Sequence, residues 1–222
     1  MSKNMKFSTD CRLCPRLAGF LDEVRQAQPD YFARPVPSFG DKQARLLIVG
    51  LAPGMHGANR TGRPFTGDFA GKLLYSTLHH FGFSTRAEPL DAANNANTGL
   101  SLRDCRITNA VRCLPPQNKP EPAEVKQCNG YLTAELAELP HAAAVLALGT
   151  VAHLAVVRAL GLRAKDYAFA HGACHVLPNG MMLYDSYHCS RYNTQTKRLD
   201  EAMFHAVFSA ITAYLYSLEQ NN

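Results

Sequence analysis

The chain has 222 residues, 46% of them hydrophobic, enough to bury a sizeable core as one larger α/β domain or one domain with appendages. Lys and Arg number 23 against 18 Asp and Glu, a formal charge of +5 that permits an anionic partner such as nucleic acid without requiring one. There is no run of about 18 apolar residues and no apolar stretch behind a charged N-terminus, so neither a membrane span nor a signal peptide is indicated. A cytoplasmic, nucleoid-associated protein is the expectation.

In chain order, a polar start (1–10) leads to Cys11-x2-Cys14 followed directly by Pro15, which opens a helix over 15–28 with Leu17, Leu21 and Val24 at helical spacing. Pro29 to Gly40, rich in proline and aromatics, reads as an extended lead-in. Leu46-Leu-Ile-Val-Gly50 reads as a strand buried on both faces. Gly50, Pro53, Gly54 and Gly57 then open it into a loop where backbone can approach a ligand closely. His56, Asn59, Arg60 and Arg63 crowd that loop, and Phe65 stands three residues before the carboxylate of Asp68. A helix is predicted over 67–81. Residues 84–103 have loop composition and form an insertion, either mobile or a lid. A strand over 105–112 delivers Asn109 near its C-terminal end, and the proline-rich 115–122 segment links it to a helix from 123 to about 138 that carries Cys128. A buried strand (142–149), a helix begun by Thr150 and running to Leu160, and two short strands (171–176, 181–185) around the turn Pro178-Asn-Gly180 follow. The loop 186–197 holds His188, Ser190, Arg191, Tyr192, Asn193 and Lys197, and a last helix over 199–218 lies on the sheet.

Strands alternating with helices predict a mainly parallel sheet covered on both faces, and in such sheets ligands gather beyond the C-terminal strand ends. The loops 50–68, 109–113 and 186–197 therefore converge. Seven cysteines are many for a cytosolic chain, where disulfides are rare, and an odd number cannot pair completely. Cys11, Cys14, Cys113 and Cys128 form two spaced pairs, the donor set for an iron-sulfur cluster or a zinc ion, while Cys105, Cys174 and Cys189 read as buried or incidental thiols.

Gly50-Leu-Ala-Pro-Gly54, Asn59-Arg-Thr-Gly-Arg-Pro-Phe-Thr-Gly-Asp68, Thr108-Asn-Ala-Val-Arg-Cys113, His188-x-Ser-x-x-Asn193-Thr and the four spaced cysteines together resemble the iron-sulfur uracil-DNA glycosylases, family five (type B). Leu51 stands where family four carries an acidic residue. Two positions depart from the family-five pattern: Gly54 where Ala is common, and Cys189 where an aliphatic residue or proline is usual.

The resemblance covers nearly the whole chain and implies one domain over 1–222, with 1–40 as a cluster-binding segment. The implied fold is a three-layer α/β/α sandwich with a central, mainly parallel four-stranded sheet and a small hairpin. It also implies a 4Fe-4S cluster on Cys11, Cys14, Cys113 and Cys128, and a monomer acting on uracil-containing DNA. His188 would donate to uracil O2 as negative charge gathers there, and Asp68 would position water or stabilise the sugar cation. Asn109 would read the base edge and Phe65 would stack on the ring, with Gly50, Ala52, Gly54, Asn59 and Asn193 completing the pocket. Arg191, Tyr192, Lys197 and Arg198 would grip and wedge the DNA. The expected activity is monofunctional, leaving an abasic site, and other deaminated bases such as hypoxanthine come within its scope. A non-catalytic, metal-stapled nucleic-acid-binding module is the alternative.

Overall fold

A computed structural model describes residues 6–89 and 99–220. The runs β2 (Leu46–Gly50), β3 (Cys105–Asn109) and β4 (Ala144–Leu148) are buried at every position, which is why β2 and β4 are continuously apolar, while β3 carries Arg106, Thr108 and Asn109 as buried polar groups. With β6 (Met182–Ser186) they form four parallel neighbours in the order β3-β2-β4-β6.

The whole sheet has six strands, not the expected four. Its order is β1-β3-β2-β4-β6-β5, with an antiparallel strand on each edge. On one side the proline-rich lead-in runs along the free edge of β3, so that β1 (Phe39–Gly40) pairs with Ile107 and Arg106. On the other, β5 (Cys174–Val176) pairs with β6, so the expected hairpin is part of the main sheet rather than a separate element.

Alternation along the strands splits the core into two layers. Leu47, Val49, Val145, Ala147 and Leu183 face α1 (Pro15–Ala27), α4 (Pro122–Glu138) and α5 (Thr150–Ala159). Leu46, Ile48, Ala144, Leu146 and Tyr184 face α3 (Phe69–His80) and α7 (Glu201–Gln220). No helix among the described residues is long and apolar enough to cross a membrane. The 84–103 insertion is pinned at its base, where Ser84 bridges Leu102 and Thr85 Oγ1 donates to the Gly99 carbonyl at 2.7 Å; residues 90–98 lie outside the described part.

Under the sheet, Glu135 of α4 gathers the polar groups of β3. Its Oε1 accepts from Arg106 Nη2 at 2.8 Å and from Ser38 Oγ, while Oε2 accepts from Thr108 Oγ1 at 2.8 Å and from Arg112. This buried carboxylate is held in its charged form by the Arg112 and Arg106 guanidiniums and the Ser38 hydroxyl, against a desolvation that opposes it. Because Thr108 precedes Asn109 and Arg112 precedes Cys113, one side chain fixes the end of the strand that carries a site residue and the start of the segment that carries a cysteine. Replacing Glu135 with Ala strands two buried guanidiniums and is expected to lower the unfolding free energy by about 3–5 kcal/mol in urea titrations.

Candidate active site

Beyond the C-terminal ends of β2, β3 and β6 lies a cavity of about 600 Å3, lined among others by Ala52, Gly54, His56, Phe65, Asp68, Phe69, Asn109, Asn118, His188 and Arg191. The three expected loops do converge. The chain after Asn109 continues beside the first loop, Ala110 N bonding Gly50 O at 2.9 Å and Val111 N bonding Leu51 O at 3.0 Å, and this sets Asn109 against Gly50. A Cβ on Gly50 would overlap Asn109 Oδ1 and come within 2.7 Å of the Phe65 ring, so the absence of a side chain there lets both neighbours close in.

Phe65 occupies the left-handed region at φ 55°, an unfavourable conformation for a non-glycine residue that the surrounding loop imposes. Tyr75 Oη donates to Pro64 O at 3.1 Å, and the Thr61 and Thr66 hydroxyls share a 2.6 Å bond beneath it. The Phe65 ring lies nearly parallel to His188, with centroids 5.8 Å apart and planes at 27°. His188 follows β6, and its carbonyl accepts from Asn193 Nδ2 at 2.8 Å, while Ser190 caps the short helix α6 (Arg191–Gln195). Burial pushes the imidazole down to about 4, so it is neutral near pH 7.

Asp68 is the only carboxylate lining the cavity among the described residues. It caps α3, its Oδ1 accepting from Gly71 N at 3.1 Å, and a Cβ at Gly57 would overlap its other oxygen. Burial raises its pKa above the ordinary carboxylate value, opposed by the Gly71 and Ala70 amides.

A family model described as Uracil DNA glycosylase superfamily matches residues 37–212. The chain belongs to the uracil DNA glycosylase superfamily. A type-5 uracil-DNA glycosylase of Thermus thermophilus is 48% identical over 202 residues, covering 88% of this chain and 90% of the relative. One from Mycobacterium leprae is 44% identical over 206 residues, covering 89% and 88%. A type-4 uracil-DNA glycosylase of Saccharolobus solfataricus is 27% identical over 209 residues, covering 89% and 88%.

Within this uracil-DNA glycosylase fold not every expected residue faces the cavity. Asn59 is fully buried within α2 (Ala58–Thr61), away from the cavity lining, and both atoms of its amide are buried without a hydrogen-bond partner. Its backbone carbonyl accepts from Ala33 N at 3.0 Å. Asn193 works from behind, on the His188 carbonyl. Arg191 stands at the cavity and over the Phe69 ring at 5.3 Å, Arg198 stands over Tyr187 at 4.5 Å, and Tyr192 is 71% exposed; Lys197 is also exposed.

Phe69 and Asn118 are among the cavity residues that the sequence did not single out. Phe69 follows Asp68 directly, and Asn118 lies in the proline-rich linker, where its left-handed φ of 57° is the kind of conformation asparagine tolerates. His56, seen in sequence only as a loop polar group, lines the cavity with its Nδ1 2.8 Å from Tyr31 Oη.

Apart from the cavity, Cys11, Cys14, Cys113 and Cys128 line one small cleft with Phe7, Leu17 and Tyr131. Tyr131 Oη donates to Cys11 Sγ at 3.3 Å and Arg112 N to Cys128 Sγ at 3.4 Å. Burial raises the Cys14, Cys113 and Cys128 thiols, the last to about 11. Cys105 and Cys189 are buried in the opposite core layer and Cys174 is exposed on β5, so none of the three joins the four.

Because His188 falls from 6.5 in the open chain to about 4 in the fold, the folded protein binds fewer protons there between those values. The wild type therefore loses stability relative to His188→Gln as pH falls from 6.5 toward 4, with the full difference regained above 6.5; paired urea titrations across that range check this.

Proposed function

We propose that the cavity receives a uracil swung out of DNA and that the chain hydrolyses its N-glycosidic bond, leaving an abasic site. The observation that carries this is the enclosure of one cavity by Phe65, Asp68, Asn109 and His188, brought from three loops, in a chain whose relatives at 48% and 44% identity are type-5 uracil-DNA glycosylases. A base inside a duplex is out of reach of such a cavity, so it must be extruded.

The chemistry follows from what burial does to each group. Breaking the bond leaves negative charge on uracil O2 and positive charge on the sugar. Neutral His188 has an N–H to donate where the anion develops, and a donor held in place beforehand is worth roughly 10²–10³ in rate. Asp68, its carboxylate held by the first amides of α3, offsets the sugar cation or orients the attacking water. Asn109 offers an amide that matches the O4 and N3–H edge of uracil, and Phe65 offers a flat apolar face. No lysine lines the cavity among the described residues, in keeping with a monofunctional enzyme. Arg191, Lys197 and Arg198 suit backbone phosphates, and the protruding Tyr192 suits the space a flipped base vacates.

The four cysteines fit a 4Fe-4S cluster. Their convergence on one cleft, with Cys113 and Cys128 buried and Cys11 and Cys14 half-buried, supports that reading. When bound, the cluster would staple α1 and its proline-rich sequel to α4, outside the cavity of the reacting atoms, as a structural element.

Incubation with a uracil-containing oligonucleotide followed by alkali is expected to give strand breaks at uracil; retained binding without breaks would favour a non-catalytic module instead. Asp68→Asn keeps a side-chain oxygen for the helix cap, so the fold should hold while base release drops roughly 10²–10⁴-fold. An unchanged rate would reduce Asp68 to a cap. Purified protein should be brown, and Cys11→Ala should lose colour and iron together; a colourless zinc protein of full activity would contradict the cluster.

A further inference from the structure

Away from the cavity and the four cysteines, His153 on α5, His175 on β5 and Asp185 on β6 each offer one ligand atom, all within 4.8 Å of one another. The His153 and Asp185 side chains are fully buried, and 19% of the His175 side chain reaches solvent. None of the three lines the base cavity or the cysteine cleft.

Donors and acceptors here do not pair off in the usual way. His153 Nε2 lies 2.9 Å from the Tyr167 carbonyl, a bond that only an Nε2–H can make. In the neutral tautomer this selects, a bare Nδ1 faces Asp185 Oδ1 at 2.8 Å, so either a second proton on the imidazole, making an ion pair, or a metal ion must stand between them. On the far side, Asp185 Oδ2 and His175 Nε2 stand 3.5 Å apart, and both are buried without a hydrogen-bond partner. Two imidazoles and a carboxylate thus point at one another in a buried place, where an anion is unfavourable unless a cation meets it.

We propose that His153 Nδ1, His175 Nε2 and the Asp185 carboxylate form a second metal site, for a divalent ion of the zinc class. Two imidazoles and one carboxylate are a ligand set such ions prefer, with a fourth position left to water. The Tyr167 carbonyl supplies the outer bond that orients a ligating imidazole. His175, the partly exposed member, marks the way in.

The ion would clip β5, β6 and α5 together just behind the loop of His188, three residues beyond Asp185. The backbone already joins there, with Gly172 N bonding Asp185 O at 2.9 Å and Asp185 N bonding Ala173 O at 3.0 Å. This site is independent of the base-release reading, and its failure would leave that reading untouched.

The test uses full-length protein as purified, dialysed against chelator and then given zinc alone, with zinc and iron both measured per chain. About one zinc per chain is expected. Tm should rise by about 5–10 °C once zinc exceeds its dissociation constant 100-fold. His175→Ala should lose both effects at unchanged iron content, and because His175 sits on a short edge strand the variant should fold; His175→Gln serves as a size-matched second variant. Cobalt(II) in place of zinc should give visible d–d bands without thiolate charge-transfer bands. Thiolate bands, or equal zinc binding by wild type and both variants, would put the ion elsewhere and overturn the site. No zinc binding would mean that a shared proton holds His153 to Asp185, and would overturn it equally.

Discussion

Everything at the active face depends on how closely two loops can approach over Gly50. The strand β2 ends there, and the absence of a side chain lets Asn109 from the neighbouring strand and Phe65 from the following loop close over the same position. Backbone bonds from Ala110 and Val111 to Gly50 and Leu51 lock that approach in place. With Phe65 so placed, its ring meets His188 from the loop after β6, and the cavity acquires its walls. A methyl group at position 50 would force one wall away, and in a site where positions matter to a fraction of an ångström that is a chemical change as much as a packing one.

Burial then sets the charges. The same removal of water that pushes His188 down to about 4 also raises Asp68, but the two are treated differently by their surroundings. Nothing charged compensates the imidazole, so it stays neutral and keeps a proton to donate; the carboxylate sits on the amides of a helix start, which favour an anion. Deeper in the fold, Glu135 holds the β3 end and the Cys113 segment in one buried ionic knot, so the cysteine region and the cavity-lining Asn109 share a support.

Much of this was legible in the chain. Residues 46–50 and 144–148 are apolar without interruption because both faces of their strands are covered, and together with the alternation of strands and helices that pattern made the sheet and the edge where the loops meet readable. What polar density in a loop cannot say is which way a side chain turns: Asn59 is as polar as its neighbours, yet the four residues of α2 turn it inward. The helices α2 and α6 are too short to show periodicity. Asn118 was hidden in a proline-rich stretch that reads as a plain linker, and the two-residue edge strand β1 lies below what alternation can reveal, while β5 was legible as a strand but not as an edge of the main sheet. His153, His175 and Asp185 come from three elements whose meeting only the fold discloses.

The enclosure of one extruded base by Asn109, Phe65 and His188 is tested most directly by the single-turnover rate of uracil release by Gly50→Ala beside wild type, with iron content as the control for folding. A fall of roughly 100-fold at unchanged iron is the predicted result, since the added methyl parts Asn109 from Phe65. An unaltered rate at unaltered iron would mean that the base is held somewhere other than between those walls.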